Sequence, residues 1–182
     1  MNCRFLLLLI ISSLIEGRRL SFEPIPNATP ETFMGGPENL ALVNAAKSVR
    51  VFRILDPERK AKPGSVITID KLACNAKSAE VAGPEVPQVV AAMSNMASFG
   101  RITMCDFDPA IILRFEANGH TLDVMICFHC HEMILYRDET LVRRPFTWAE
   151  TKNTFTGDAR RVFLAMAKKA FPNDTEIQKL GR

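Results

Sequence analysis

The three histidines of the chain, His120, His129 and His131, fall within twelve residues that also hold Cys127 and Cys130. Thiol and imidazole are the side chains suited to redox exchange and soft-metal ligation, so chemistry is expected here first. Along an extended strand His120 would stand about 36 Å from His131, too far to share a coordination shell. It is read as a surface residue flanking a turn. Cys127 and Cys130 are an odd number of residues apart. On a straight strand they would point to opposite faces with Cα atoms about 10 Å apart, beyond the roughly 7 Å that a disulfide spans. They act together only if the chain turns there.

The elements around them require such a turn. Ile111, Leu113, Phe115 and Ala117 alternate with Arg114 and Glu116, and Leu122, Val124, Ile126 and Phe128 alternate with Thr121, Asp123 and Met125. Asn118-Gly119 between the two runs is the strongest two-residue hairpin signal, because both central residues of a type I′ turn need positive φ. Closing on it sets Phe115 opposite Leu122, Leu113 opposite Val124, Ile111 opposite Ile126 and Arg114 opposite Asp123. Glu132–Arg137 reads as a further strand. A single strand from His120 to Arg137 would far exceed the usual five or six residues, so the chain must bend, and the bend falls on Cys127-Phe128-His129-Cys130. Extending the hairpin register places Cys105 opposite Glu132, and three thiols are expected to converge at one end of the sheet.

Four chemistries fit that cluster. The leading one is structural, a disulfide from Cys105 to Cys127 or Cys130, which would close a loop of about 25 residues and stabilise by roughly 3 kcal/mol. A second is haem c, since Cys127-x-x-Cys130-His131 satisfies the C-x-x-C-H attachment pattern. The β-like run Met133-Ile134-Leu135-Tyr136 after it argues against the helix on which that motif usually sits. A third is zinc held by Cys105, Cys127, Cys130 and His131 (or His129), although a second C-x-x-C is lacking. The fourth, catalytic thiol–disulfide exchange, is disfavoured because no helix N-terminus lies beneath the thiols to depress their pKa. Asp106 and Asp108 before Pro109 are read as a solvated turn. No nucleophile–base arrangement, phosphate loop or helically spaced carboxylate pair is found, so no catalytic residue is assigned and no cofactor or metal leads.

The remaining segments set compartment and architecture. Arg4 precedes the apolar run Phe5–Ile15, a basic n-region and apolar h-region that predict a secretory signal peptide over residues 1–17, cleaved somewhere in 17–21. Export to the periplasm or cell exterior follows, and an oxidising compartment favours disulfides among Cys74, Cys105, Cys127 and Cys130. Cys3 lies before the apolar run and so is not a lipoprotein cysteine. The formal net charge of +3 draws on Arg4, Arg18 and Arg19 in the leader, and the rest is close to neutral, so neither nucleic acid nor stable membrane insertion is expected. Residues 18–37, rich in Pro and Gly, are expected to be a flexible spacer, 38–172 a single domain, and 173–182 a frayed tail. Helices are expected over Glu38–Lys47, from Pro84 with Val86, Val89, Val90, Met93 and Met96 on one face, and from an Asp158 cap to Pro172. Strands are expected at Val49–Leu55 and Ser65–Asp70. The order predicts a single small α+β domain, a mostly antiparallel sheet with an Asn-Gly hairpin, packed by two or three helices.

From Val49 to Tyr136 the chain resembles a group of uncharacterised exported bacterial proteins. The shared features are Val51-Phe52-Arg53, Cys105-x-Phe107-x-Pro109 and Leu122-Asp123-Val124-Met125-Ile126-Cys127-Phe128-x-Cys130. The group commonly carries an acidic residue where this chain has His129, and its second cysteine need not be followed by histidine. The resemblance therefore implies that the thiols serve the group without His131, and it implies no activity.

Overall fold

The computed structural model describes residues 29–55, 66–69, 72–75, 78–99, 107–143 and 155–181. The expected signal peptide and its cleavage site, Cys105 and Asp106 lie outside them. Helices α1 (Pro30–Phe33) and α2 (Pro37–Asn44) lead into strand β1 (Ser48–Arg53). A two-stranded hairpin, β2 (Val66–Ile69) with β3 (Leu72–Asn75), precedes β4 (Ala79–Ala82) and α3 (Glu85–Ser94). Strands β5 (Ile111–Ala117), β6 (His120–Cys127), β7 (Glu132–Arg137) and β8 (Thr140–Arg143) follow as a meander. The chain ends in α4 (Gly157–Ala170) and α5 (Thr175–Lys179). The main sheet runs β4-β1-β5-β6-β7-β8 with every neighbouring pair antiparallel. The fold is a single α+β domain, as the alternation of residue types implies.

The β5–β6 register is the one the Asn-Gly turn dictates: Phe115 faces Leu122, Leu113 faces Val124, and Ile111 faces Ile126. Asn118 and Gly119 have φ of 52° and 77°, the left-handed pair that a two-residue turn needs. Odd-numbered residues of β5 and even-numbered residues of β6 then enter one core with Val49, Val51, Met133 and Leu135, under the helical layer that includes Phe33, Val89, Met93 and Phe163. The opposite face is also buried. Phe52, Ile54, Ile112, Met125 and Tyr136 pack there with Cys74 of β3, which joins the sheet through a bridge to Ile54. Burial on both faces explains why β6 is covered from Leu122 to Cys127 despite its alternating pattern.

One expected pair of charges lies on that second face. Arg114 donates to Asp123 through a two-pronged fork, Nε to Oδ1 and an η nitrogen to Oδ2, both at 2.7 Å, with Asp123 only 1% exposed. The Arg114 guanidinium also lies 5.1 Å from the Phe52 ring centroid. The hydrogen bonds to Asp123 push the guanidinium further toward its charged form.

Several expectations need correction. The described part of the expected flexible spacer is structured: Thr29 and Thr32 cap α1 reciprocally, and Phe33 and Met34 are buried in the core. The expected frayed tail forms α5. Its Ile177 is fully buried, Asp174 accepts the N–H groups of Glu176 and Ile177, and Arg53 of β1 pairs with Asp174 at 2.9 Å and Glu176 at 2.7 Å. Thr156, not Asp158, caps α4, accepting the Ala159 N–H, while Asp158 pairs with Arg161 within the first turns. Strands β3, β4 and β8 were not expected. β8 is reached through Asp138 and Glu139, both at positive φ (47° and 64°).

Candidate thiol site

The reversal inferred from strand length is present. β6 ends at Cys127, Phe128–His131 form the turn, and β7 begins at Glu132 directly opposite Cys127. Because period-two alternation sends Ile126 and Phe128 into the helical core, Cys127 projects from the second face of the sheet. His131 takes φ 59°, a left-handed conformation that lets the chain re-enter the sheet at Glu132, two residues after Cys130.

That geometry brings two sulfurs together. Cys127 Sγ and Cys130 Sγ lie 2.7 Å apart, and the Cys130 backbone N–H donates to Cys127 Sγ at 3.2 Å. The separation is longer than the S–S bond of about 2.05 Å and shorter than ordinary sulfur–sulfur contact. Both residues are 0% exposed.

The turn is clamped from the C-terminal side. Phe128 O accepts from Arg160 Nε at 3.0 Å, and His131 O accepts from the Phe155 N–H at 2.7 Å. The His131 ring lies parallel to Phe155, with centroids 5.5 Å apart, and Phe155 meets Phe163 of α4 edge-on at 5.2 Å. Beside the sulfurs, Glu132 is 3% exposed, its Oε2 has no hydrogen-bond partner, and burial raises its carboxyl pKa.

The other candidates are placed elsewhere. His129 is exposed at the tip of the turn. His120 lies at the far end of β6, pairing with Asp138 at 2.8 Å. The Thr121 N–H and His120 together hold the Asp138 carboxyl below its ordinary range. Asp108 is exposed, and Cys74 belongs to the cluster under β3, which does not include Cys127 or Cys130. Cys105, on which the three-thiol expectation and the four-ligand zinc set both drew, lies outside the described residues. Among those residues no group of three or more His, Cys, Asp or Glu side chains could hold a metal ion. An open groove of about 570 Å³, bordered by Asn44, Lys47, Val86, Val90 and Ser94, contains none of the cysteines or histidines.

Sequence reasoning overlooked Glu132, Phe155 and Arg160. Glu132 had a signal: once the chain turns over 128–131, antiparallel pairing sets residue 132 against 127. Phe155 and Arg160 had none, because their approach depends on tertiary docking of α4. Compared with family models, curated proteins and solved structures, the chain matches none.

Proposed function

We propose that the chain is a non-catalytic, exported protein of the cell envelope whose Cys127 and Cys130 serve as a structural dithiol–disulfide pair. The observation that carries the reading is the 2.7 Å separation of two fully buried sulfurs within one four-residue turn. Export rests on the leader pattern in residues 1–17, and an oxidising compartment would drive the pair to the disulfide. Neither sulfur reaches solvent, so no substrate meets a thiolate in the resting fold, which supports a structural over an enzymatic role.

The same separation weighs against the metal and haem alternatives. Two thiolates on one tetrahedral zinc, each about 2.3 Å from the metal, stand about 3.8 Å apart, over 1 Å wider than here. Haem c would need both sulfurs to turn outward to separate vinyl groups and His131 to face the iron, whereas its ring packs parallel to Phe155. The test is differential alkylation under denaturing conditions of protein exported to an oxidising compartment, followed by the mass of the peptide carrying Cys127 and Cys130, alongside native intact mass. The expected result is a peptide protected from alkylation until reduction and lighter by two hydrogens. Alkylation of both thiols before reduction, or a native mass increased by zinc or haem, would overturn the reading.

A further inference from the structure

We propose that the redox state of Cys127 and Cys130 governs how tightly the segment entering α4 docks on the β6–β7 turn, so that the turn is a redox-sensitive latch for the C-terminal helices. This rests on the dithiol–disulfide reading above and adds a consequence to it. Two carbonyls of the turn are taken by the same incoming segment: Phe128 O by Arg160 and His131 O by Phe155. Phe128 lies inside the ring that a Cys127–Cys130 bond would close, so the bond restricts the rotation that aims its carbonyl. His131 follows Cys130 directly and holds the left-handed conformation that aims the second carbonyl.

From these two contacts the connection continues inward. Phe155 also forms a bridge with Phe99, Thr156 donates to Ser98 O at 2.6 Å, and Phe163 carries the aromatic contact into α4. Phe155 and Arg160 thus tie the start of α4 to the turn, and Thr156 ties it to the segment that follows α3. Opening the turn releases its two carbonyl acceptors together, whereas β5 and β1 are held by their own ladder.

Closure balances as a two-electron exchange. One cysteine thiolate attacks a small dialkyl disulfide, forming a mixed disulfide and releasing one alkylthiolate. The second cysteine thiolate then attacks the protein sulfur of that mixed disulfide, joining Cys127 to Cys130 and releasing the other alkylthiolate. Two protein thiols are oxidised and one dialkyl disulfide is reduced to two thiols. A trialkylphosphine with water reverses the step, yielding two thiols and the phosphine oxide. Both protein sulfurs are buried, so either reaction waits for the turn to open.

Amide hydrogen exchange of the full chain, equilibrated with oxidised glutathione or with a phosphine, tests the latch without any substitution. The amides of Phe155–Leu164 should exchange about tenfold more slowly in the oxidised form, while those of β5 stay within about twofold. Arg160→Met in the oxidised form should speed α4 exchange toward the reduced rate while the cysteine peptide remains lighter by two hydrogens. A cysteine peptide that never loses two hydrogens overturns the dithiol–disulfide reading itself. A peptide that loses them while Phe155–Leu164 exchange identically in both states overturns the latch alone.

Discussion

Replacing Glu132 by glutamine should make the fold less sensitive to rising pH. Glu132 is 3% exposed, its Oε2 meets no donor, and burial lifts its carboxyl above the ordinary value of 4.5. A carboxyl whose folded pKa exceeds its unfolded one keeps its proton longer in the native state. Across that window the native protein binds more protons than the unfolded chain, so stability falls as pH rises. The effect is absent below the ordinary carboxylate range and complete above the raised value. Leaving a buried acceptor unsatisfied costs about 1–3 kcal/mol, with the ionised form at the upper end. Glutamine cannot ionise, so the stability difference between Glu132→Gln and wild type should grow by about 1–3 kcal/mol as pH rises from the ordinary carboxylate range through the raised value. For a domain of this size about 2 kcal/mol corresponds to roughly 4–8 °C in Tm. Urea unfolding followed by far-ultraviolet circular dichroism at a series of pH values reads this directly, because every other titrating group is common to both proteins. Parallel curves for the two proteins would refute the reasoning, since the carboxyl would then ionise as freely in the fold as outside it.

Other perturbations probe the frame that holds the turn. Asp123→Asn strands the half-buried Arg114 charge and should cost about 3 kcal/mol in urea unfolding, while the apolar double replacement Arg114→Met with Asp123→Leu should recover most of it. If the double replacement loses as much as the single one, the fork is not the source. Gly119→Ala meets no neighbouring atom within 4 Å but must hold φ near 77°, so a loss of about 1 kcal/mol is expected from backbone strain alone. Ile177→Ala should cost about 2–4 kcal/mol if α5 belongs to the cooperative unit, and a loss well under 1 kcal/mol would show that α5 detaches independently.

The central hairpin was legible because three independent signals agree on it. Asn118-Gly119 fixes the turn, the alternation fixes the faces, and Arg114 opposite Asp123 fixes the register. The reversal at Phe128 followed from strand length alone. β8 was hidden because its turn places Asp138 and Glu139 at positive φ with no glycine to mark it. The turn is held by Asp138 accepting from the Thr121 N–H at 2.8 Å. β4, Ala79-Glu80-Val81-Ala82, has no strand composition and exists through pairing with β1, where Ser48 donates to Glu80 at 2.6 Å. α5 reads as a frayed tail in sequence because its anchors, Ile177 in the core, Arg53 far away in the chain and Gln178 donating to the Lys168 and Phe171 carbonyls, have no local pattern. For the site, the sulfurs' meeting was legible, whereas the clamp on the turn was not, since Phe155 and Arg160 reach it only after α4 has docked.

Loop size also separates what the two disulfide arrangements could do. A bond from Cys105 to Cys127 would close a loop of about 23 residues and, by chain entropy, contribute about 3.4 kcal/mol. Cys127 to Cys130 closes only four residues, for about 1.9 kcal/mol. Both figures describe restriction of the unfolded chain, and in the folded state the turn is already bracketed by β6 and β7 pairing, so the short bond has only the peptide groups within and beside the turn left to orient. A bond so local adds less to global stability than the long-loop bridge would, and its effect within the fold falls on the orientation of the peptide groups it encloses or borders. Those groups are the ones whose carbonyls hold Arg160 and Phe155. Oxidation should therefore shift a global melt by less than a Cys105–Cys127 bridge would, while its local effect is concentrated in the exchange of α4.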